Sequence, residues 1–347
     1  MNSKVSIITL NYNGKEYLKD CIEAVYRQSY KDYEFIIVDN ASTDGSQEFI
    51  KLNYPGIILI ESPNNLGFAG GNNLGVKRAN GELIVLLNND TTVEEGWLEN
   101  LVSAVNQRDV AIASSLIISD HVPRKYYEKN GSVNFLGHNI MLIFDKEGEI
   151  FTSSGASLIF KKDILGLPFD EDYFAYCEDV YLGLRARFMG YNILHINKSV
   201  VHHLEGGSFK KQSYKFRTYL QERNRLLNTI LFFSPKTLTK LIPLFIFNFF
   251  AKVSASIIMT KSDVFSKYSL SGLLKAYLWF PFNIKKIIAK RTRLKREMKV
   301  NEKEIIKYMT CKLTNGETNL GKFLNSLSKF YFYIVRIKTI EFSKGQG

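Results

Sequence analysis

The chain has 347 residues, 45% of them hydrophobic, and a formal net charge of +12 at pH 7. That length and apolar content exclude a disordered or fibrous chain and allow one large domain with an appendage, or two domains. The charge is split: residues 211–347 hold 27 Lys+Arg against 7 Asp+Glu, a net +20, while the residues before them carry −8. A boundary near residue 210 follows, with partners of different character for an acidic front and a basic rear. The three cysteines, Cys21, Cys177 and Cys311, are far apart and lack metal-type spacing. A disulfide framework is therefore not expected, and a reducing compartment is. No charged segment leading into an apolar run opens the chain, so no signal peptide is expected either.

Residues 5–10 (VSIITL) read as a first strand ending in Asn11-Tyr12-Asn13-Gly14. From Glu16 to about Gln28, Leu18, Ile22 and Val25 share one helical face. Residues 34–39 form a second buried-type strand ending in Asp39, and the Ser/Thr/Asp/Gly run after it suits the cap of a helix over 47–51. Residues 57–61 are a third strand. They lead into NNLGFAGGNNLG from Asn64, then a helix through about Ala79. Gly67, Gly70, Gly71 and Gly75 lack Cβ atoms, so backbone in this loop can approach a ligand closely. The loop does not match G-x-G-x-x-G and no P-loop lysine follows, which argues against a dinucleotide site or a Walker ATPase.

The run LIVLLNND, residues 83–90, reads as a parallel strand buried on both faces that stops abruptly in polar residues. The β-α alternation up to this point predicts a doubly wound, mostly parallel α/β sheet with helices on both faces. Ligands of such sheets sit beyond the carboxyl ends of the strands, where residues 9–13, 39–44 and 88–90 converge. Residues 97–107 look helical and 110–118 strand-like. Residues 119–150 read as a loop or hairpin insertion over the rim, and 153–160 as another strand. Residues 180–189 form a helix stopped by Gly190, which places Glu178 and Asp179 in its first turn, where the positive helix end favours ionised carboxylates. A strand within 192–201 runs into His202 and His203. Neighbouring strand residues face opposite ways, so at most one of the pair points to the rim.

Taken in order, VSIITLNYNG, VDNASTDGS, NNLGFAGGNNLG, LLNND, FDEDYFAYCEDVYLGLRARFMGY, VVHHLEGGS and YLQERNRLL resemble the family 2 glycosyltransferases of GT-A fold, in particular the rhamnosyltransferase-like and galactofuranosyltransferase-like branch. The resemblance covers about two thirds of the chain. It implies that Thr9, Asn11 and Asp39 hold the nucleotide base and ribose, and that the loop with Asn64, Gly67, Gly71 and Asn72 cradles the nucleotide sugar. Asn88-Asn89-Asp90 stands where the family has D-x-D, so Asp90 would bind a divalent ion, Mg or Mn, with Asn89 near the donor and His202 or His203 a further ligand. Asp179, paired with Glu178, would be the general base. Two departures stand out: Asn88 replaces the first aspartate of D-x-D, and Tyr181 stands where an acid often follows the Glu-Asp pair.

The chemistry explains why such groups belong together. Transfer from a nucleotide diphosphate sugar releases a dinegative diphosphate, whose charge a hard cation held by oxygens offsets. The attacking hydroxyl must lose a proton, and one carboxylate in reach serves as base. An inverting displacement needs only that one.

The rear, residues 211–347, alternates apolar stretches with Pro235, Lys236, Lys240, Pro243 and Lys252, and no uncharged run reaches the length of a span. Residues 277–282 (YLWFPF) meet eight Lys and Arg between Lys285 and Lys299, a pattern suited to the headgroups of an anionic membrane. The sequence thus predicts a catalytic domain over 1–210 and a basic, apolar-rich helical region over 211–347. The enzyme is expected in the cytoplasm, peripheral on the inner face of the cell membrane, with a nucleotide sugar donor and a glycan or lipid-linked acceptor. The rival reading, a nucleic-acid binder using the basic rear, lacks a recognition motif, and the acidic front would repel phosphates.

Overall fold

The structure, a computed structural model, describes residues 4–119, 132–140, 147–204, 213–258, 269–315 and 318–343. The chain forms two compact units, Met1–Gly131 with Leu142–Lys211, and Ser132–Met141 with Gln212–Gly347.

The front unit alternates strand and helix: β1 Val5–Asn11, α1 Lys15–Tyr26, β2 Tyr33–Asp39, α2 Ser46–Asn53, β3 Ile58–Glu61, α3 Gly67–Arg78 and β4 Leu83–Asn88. β5 Thr91–Val93, α4 Trp97–Val105 and β6 Val110–Ser119 follow. Two short strands, β7 Ser132–Val133 and β8 Asn139–Ile140, pair antiparallel and belong to the rear unit. They belong to the stretch expected as a loop or hairpin insertion over the rim; residues 120–131 and 141–146 of that stretch lie outside the described residues. The front resumes with β9 Gly148–Glu149, β10 Ser157–Lys161, α5 Lys162–Leu165, α6 Glu178–Phe188 and β11 Asn192–His203.

The sheet runs β3-β2-β1-β4-β10-β6-β11-β5, with β9 beside β11. β3, β2, β1 and β4 are all parallel, which brings Asn11 beside Asp39 and Leu10 beside Asn88. β10 enters antiparallel between β4 and β6, and β11 returns parallel to β6. The sheet is thus mixed, mostly parallel in its nucleus. Val5 and Ile7 of β1 pack with Leu18, Ile22 and Val25 of α1 as their helical spacing predicts, and with Trp97, Leu98 and Leu101 of α4. On the opposite face α3 lies against Ile8, Leu10 and Val38. A Cβ on Gly71 would stand 2.3 Å from Leu10 Cδ1, and one on Gly75 2.6 Å from Ile8 Cγ2. These two glycines let a helix approach the sheet.

The rear unit is helical: α7 Tyr214–Phe232, α8 Pro235–Ile258, α9 Leu270–Phe282, α10 Ile284–Glu297, α11 Glu302–Ile306, α12 Asn319–Ile334 and α13 Ile340–Ser343. Phe135 packs between Phe233 and Phe332, each ring 5.3 Å away. Glu222, buried in α7, accepts from Lys252 Nζ through both oxygens at 2.8 Å and from Arg225 at 2.8 Å. A buried carboxylate needs such partners. Pro243 does not stop α8, which runs through it. Among the described residues one segment, Pro235–Ser254, has the length and apolarity of a membrane span.

Candidate active site

One side chain ties the carboxyl ends of β1, β2 and β4. Asn11 donates through Nδ2 to Asp39 Oδ2 at 3.0 Å and to Ser42 Oγ at 3.2 Å, and its Oδ1 accepts from Asn89 Nδ2 at 2.7 Å. An amide both donates and accepts, so it can serve a carboxylate on one side and a second amide on the other. Asp39 Oδ1 accepts from the Ser42 amide at 2.9 Å and Gln47 Nε2 at 2.7 Å. Asn11, Asp39 and Thr9 are all wholly buried. Thr9 lies two residues inside the strand, on the same face as Ile7, so it supports the rim from beneath and does not line it. Beside Asn13, whose φ is +50°, a cleft of about 610 Å³ opens between the start of α1 and the turn before α2, lined by Lys15, Lys19, Thr43, Asp44 and Phe49 among others.

The glycine-rich stretch departs from expectation. It is already helix from Gly67 onward, and the Cα of Gly71 faces Leu10. Asn72 is buried and donates to the Phe68 carbonyl within the helix. Asn64 is exposed on the approach to α3. Gly67, at φ +70°, needs its missing side chain for a different neighbour: a Cβ there would be 2.4 Å from the carbonyl oxygen of Phe174. That carbonyl accepts from the Ala69 amide at 3.0 Å, meeting one of the donors a helix start leaves unpaired.

This contact brings the segment before α6 to the rim. Asn73, buried in α3, grips the segment from both sides: Nδ2 donates to the Phe169 carbonyl at 2.8 Å, and Oδ1 accepts from the Phe169 amide at 3.2 Å. Phe174, Tyr176 and Cys177 all have positive φ, at 60°, 73° and 62°. Such strain costs of order 1–3 kcal/mol per residue and gathers at functional sites. It delivers Glu178 and Asp179 to the start of α6. Asp179 Oδ1 accepts from the Val180 amide at 2.7 Å, while Glu178 Oε2 is buried without a hydrogen-bond partner. Burial pushes both carboxyls up, Glu178 to about 8, with Asp179 beside it adding repulsion, and Asp179 to about 6. The helix terminus, expected to favour ionisation, is outweighed by desolvation. Burial and mutual repulsion therefore disfavour two charges on the pair, so near pH 7 the two carboxyls share one proton.

The second carboxylate follows β4. Asp90 is 7% exposed, and its Oδ1 lies 3.1 Å from Nε2 of His203 at the end of β11. β11 pairs antiparallel with β5, setting His203 opposite Thr91 and His202 opposite Thr92. His202 thus faces the other way, with Nε2 2.7 Å from Glu94 Oε1 on the exposed side. Of the two histidines named from sequence, His203 joins Asp90 and His202 does not. Among the described residues no group of three or more His, Cys, Asp or Glu converges. An oxygen and an imidazole nitrogen at this spacing fit an ion that takes its remaining ligands from water and a bound diphosphate.

Sequence reasoning overlooked Asn73 and Asn40. Asn40 Oδ1 accepts from the Leu66 amide at 2.9 Å, and its Nδ2 donates to Asn65 Oδ1 at 3.0 Å, pinning the entry to α3 to the end of β2. Both sit inside motifs quoted above, but an asparagine within an Asn-rich stretch gives no hint that it is buried.

Comparison with known proteins agrees with this architecture. Residues 6–166 match the model of glycosyl transferase family 2. Glycosyltransferase GlyG of Streptococcus pneumoniae is 29% identical over 138 residues, 39% of this chain and 44% of the relative. The O-antigen biosynthesis protein RfbC of Myxococcus xanthus is 27% identical over 227 residues, 59% of this chain and 18% of the relative. The chain thus spans less than half the length of either. GalNAc-T7, solved with UDP, GalNAc and Mn²⁺, shares the fold with a TM-score of 0.57 at 16% identity, over 82% of this chain and 57% of that one. Residues 6–166 are thus similar in sequence to glycosyl transferase family 2, and the chain shares the GT-A fold.

Proposed function

We propose that this protein is an inverting glycosyltransferase. It moves a sugar of rhamnose or galactofuranose type from a nucleotide diphosphate donor to a hydroxyl of a glycan or lipid-linked acceptor in cell-surface polysaccharide or glycoconjugate synthesis. Residues 1–210 are the catalytic domain in this reading, and 211–347 hold it to the anionic inner face of the cell membrane. The observation that carries the reading is the acid pair: Asp179, poised near neutrality by burial, reaches the start of α6 through a strained segment anchored on α3.

Asp179 takes the proton of the acceptor hydroxyl as its oxygen attacks the anomeric carbon. The bond from that carbon to the diphosphate breaks, and the nucleotide diphosphate leaves. Glu178, holding its own proton, keeps the pair from carrying two buried charges. Asp90 and His203 would hold a divalent ion, Mg²⁺ or Mn²⁺, which when bound offsets the charge of the leaving diphosphate. Asn11, Asp39 and Asn89 form the donor end of the rim. The cleft beside Asn13 has a volume within the range of small-ligand sites.

The test is a panel of nucleotide sugars read by thermal shift with and without Mn²⁺, followed by transfer with the best donor. A donor that stabilises the protein in a Mn²⁺-dependent way, with turnover lost in Asp179→Asn, is expected. Turnover in Asp179→Asn equal to the parent's would reject the assignment of the base.

A further inference from the structure

Two helices of the rear unit are apolar on both sides. In α12, Gly321, Ser328 and Phe332 are buried, yet Leu320, Phe323, Leu327, Phe330 and Ile334 recur at spacings of three and four along an exposed stripe. In α8, Leu241 and Leu244 are buried while Ile242, Ile246 and Phe250 face outward. An apolar groove of about 180 Å³ runs between the helices, and Phe247 of α8 and Leu327 of α12, each about half exposed, line it together with Pro243, Leu324 and Tyr331. Apolar surface this continuous marks an interaction site.

Charge decides the occupant. Neither helix contains an Asp or Glu, and the exposed Lys236, Lys322 and Lys329 flank the stripes. Flanking cations around an apolar face suit anionic lipid headgroups above hydrocarbon. Packing decides the orientation. Lys252, one of the buried residues of α8, is bound to both oxygens of buried Glu222, Lys240 Nζ donates to the Val335 carbonyl, and the Tyr331 hydroxyl donates to the Lys240 carbonyl. A helix so tied along one side cannot cross a bilayer without breaking a buried ion pair.

We propose that α8 and α12 form a monotopic docking face lying in the plane of an anionic bilayer, with the groove between them taking a lipid hydrocarbon chain. The proposal deepens the membrane part of the functional reading. It replaces a general attraction of the basic rear with a defined apolar contact.

Flotation with vesicles of phosphatidylglycerol and phosphatidylcholine in equal parts tests it, without donor or metal, so its outcome is independent of glycosyl transfer. The full chain is expected to float. Phe247→Glu and Leu327→Glu should each lower the floated fraction at least ~10-fold. Both positions face solvent, so an unchanged melting temperature verifies the fold. Leu52→Glu, on the exposed side of α2, should leave flotation unchanged. For the groove, the emission that Phe247→Trp adds should be quenched by lipids brominated on their acyl chains. Flotation unaffected by both glutamates, or an added tryptophan that is not quenched, would overturn the proposal. So would a parent chain that does not float but forms a dimer that the two glutamates dissociate, since the face would then belong to a second copy.

Discussion

Glu178→Gln should stabilise the protein, and more so as pH rises. The side chain is buried, one oxygen lacks a partner, and its pKa is pushed from 4.5 up to about 8. Below pH 4.5 the carboxyl is protonated folded and unfolded, and titration costs nothing. Between 4.5 and 8 the unfolded chain releases the proton and the folded chain keeps it, so stability falls with pH at about 1.4 kcal/mol per unit. The loss is about 3 kcal/mol at pH 7 and levels off above 8 near 5 kcal/mol, an upper limit because Asp179 shares the titration. Glutamine keeps the shape and removes the charge. At roughly 2 °C per kcal/mol for a chain of this size, the variant should melt several degrees above the parent at pH 8.5, and the gap should close towards pH 5. Thermal melts of both proteins in a buffer series from pH 5 to 9 make the comparison. A gap that is constant across that series would show that Glu178 is not a strongly perturbed acid, and the one-proton description of the pair would fall with it.

Four further outcomes follow from the same geometry. With Asp179 raised to about 6, kcat/KM should climb with pH through an apparent pKa near 6, because the base must be ionised; a limb near 4 would place the base elsewhere. Asp179→Asn should leave donor affinity within about twofold and lower kcat at least ~10²-fold, measured by initial rates over a donor titration. Asp90→Ala and His203→Ala should each weaken Mn²⁺-dependent donor binding at least ~10-fold by calorimetry, whereas His202→Ala, with its partner Glu94 on the exposed side, should not; equal losses at both histidines would refute the division between them. Asn73→Ala strands the Phe169 amide and carbonyl in the interior. It should cost about 1–3 kcal/mol in urea unfolding and lower kcat more than it raises donor KM; a KM effect alone would detach Asn73 from the acid segment.

Much of the fold around the candidate site was legible in the sequence. Strand period and abrupt polar ends located the rim, since buried parallel strands need continuous apolar runs and stop where ligands sit. β4 is the clearest case. α1 obeyed its spacing because Leu18, Ile22 and Val25 had one face to bury. What failed has a common cause, namely that the same residue type serves two purposes. Gly67 to Gly75 read as a ligand loop because glycine permits close approach, but the partner approached is Leu10, Ile8 or Phe174. Asn73 and Asn40 looked like loop amides and proved to be buried clamps. The upward shift at Asp179 was also out of reach, because a helix terminus is visible in sequence and desolvation is not.

The residues with positive φ show how the pieces cooperate. Five of the six non-glycine examples among the described residues lie on the front unit: Asn13 and Ala41 after β1 and β2, and Phe174, Tyr176 and Cys177 before α6. Three strained residues in four are not tolerated unless neighbours hold them. Here the Ala69 amide holds the Phe174 carbonyl, Gly67 leaves room for it, and Asn73 fixes the segment at Phe169. In the proposed mechanism the glycines of α3 would act on the chemistry at one remove. They set the helix close to the sheet, the helix start holds the strained segment, and the segment sets the depth at which Glu178 and Asp179 are buried. Gly67→Ala should on this account shift the kcat pH profile towards that of an ordinary carboxylate, because pushing Phe174 away re-exposes the acid pair to water. A Gly67→Ala enzyme that lost activity with its profile unmoved would confine the glycine to packing.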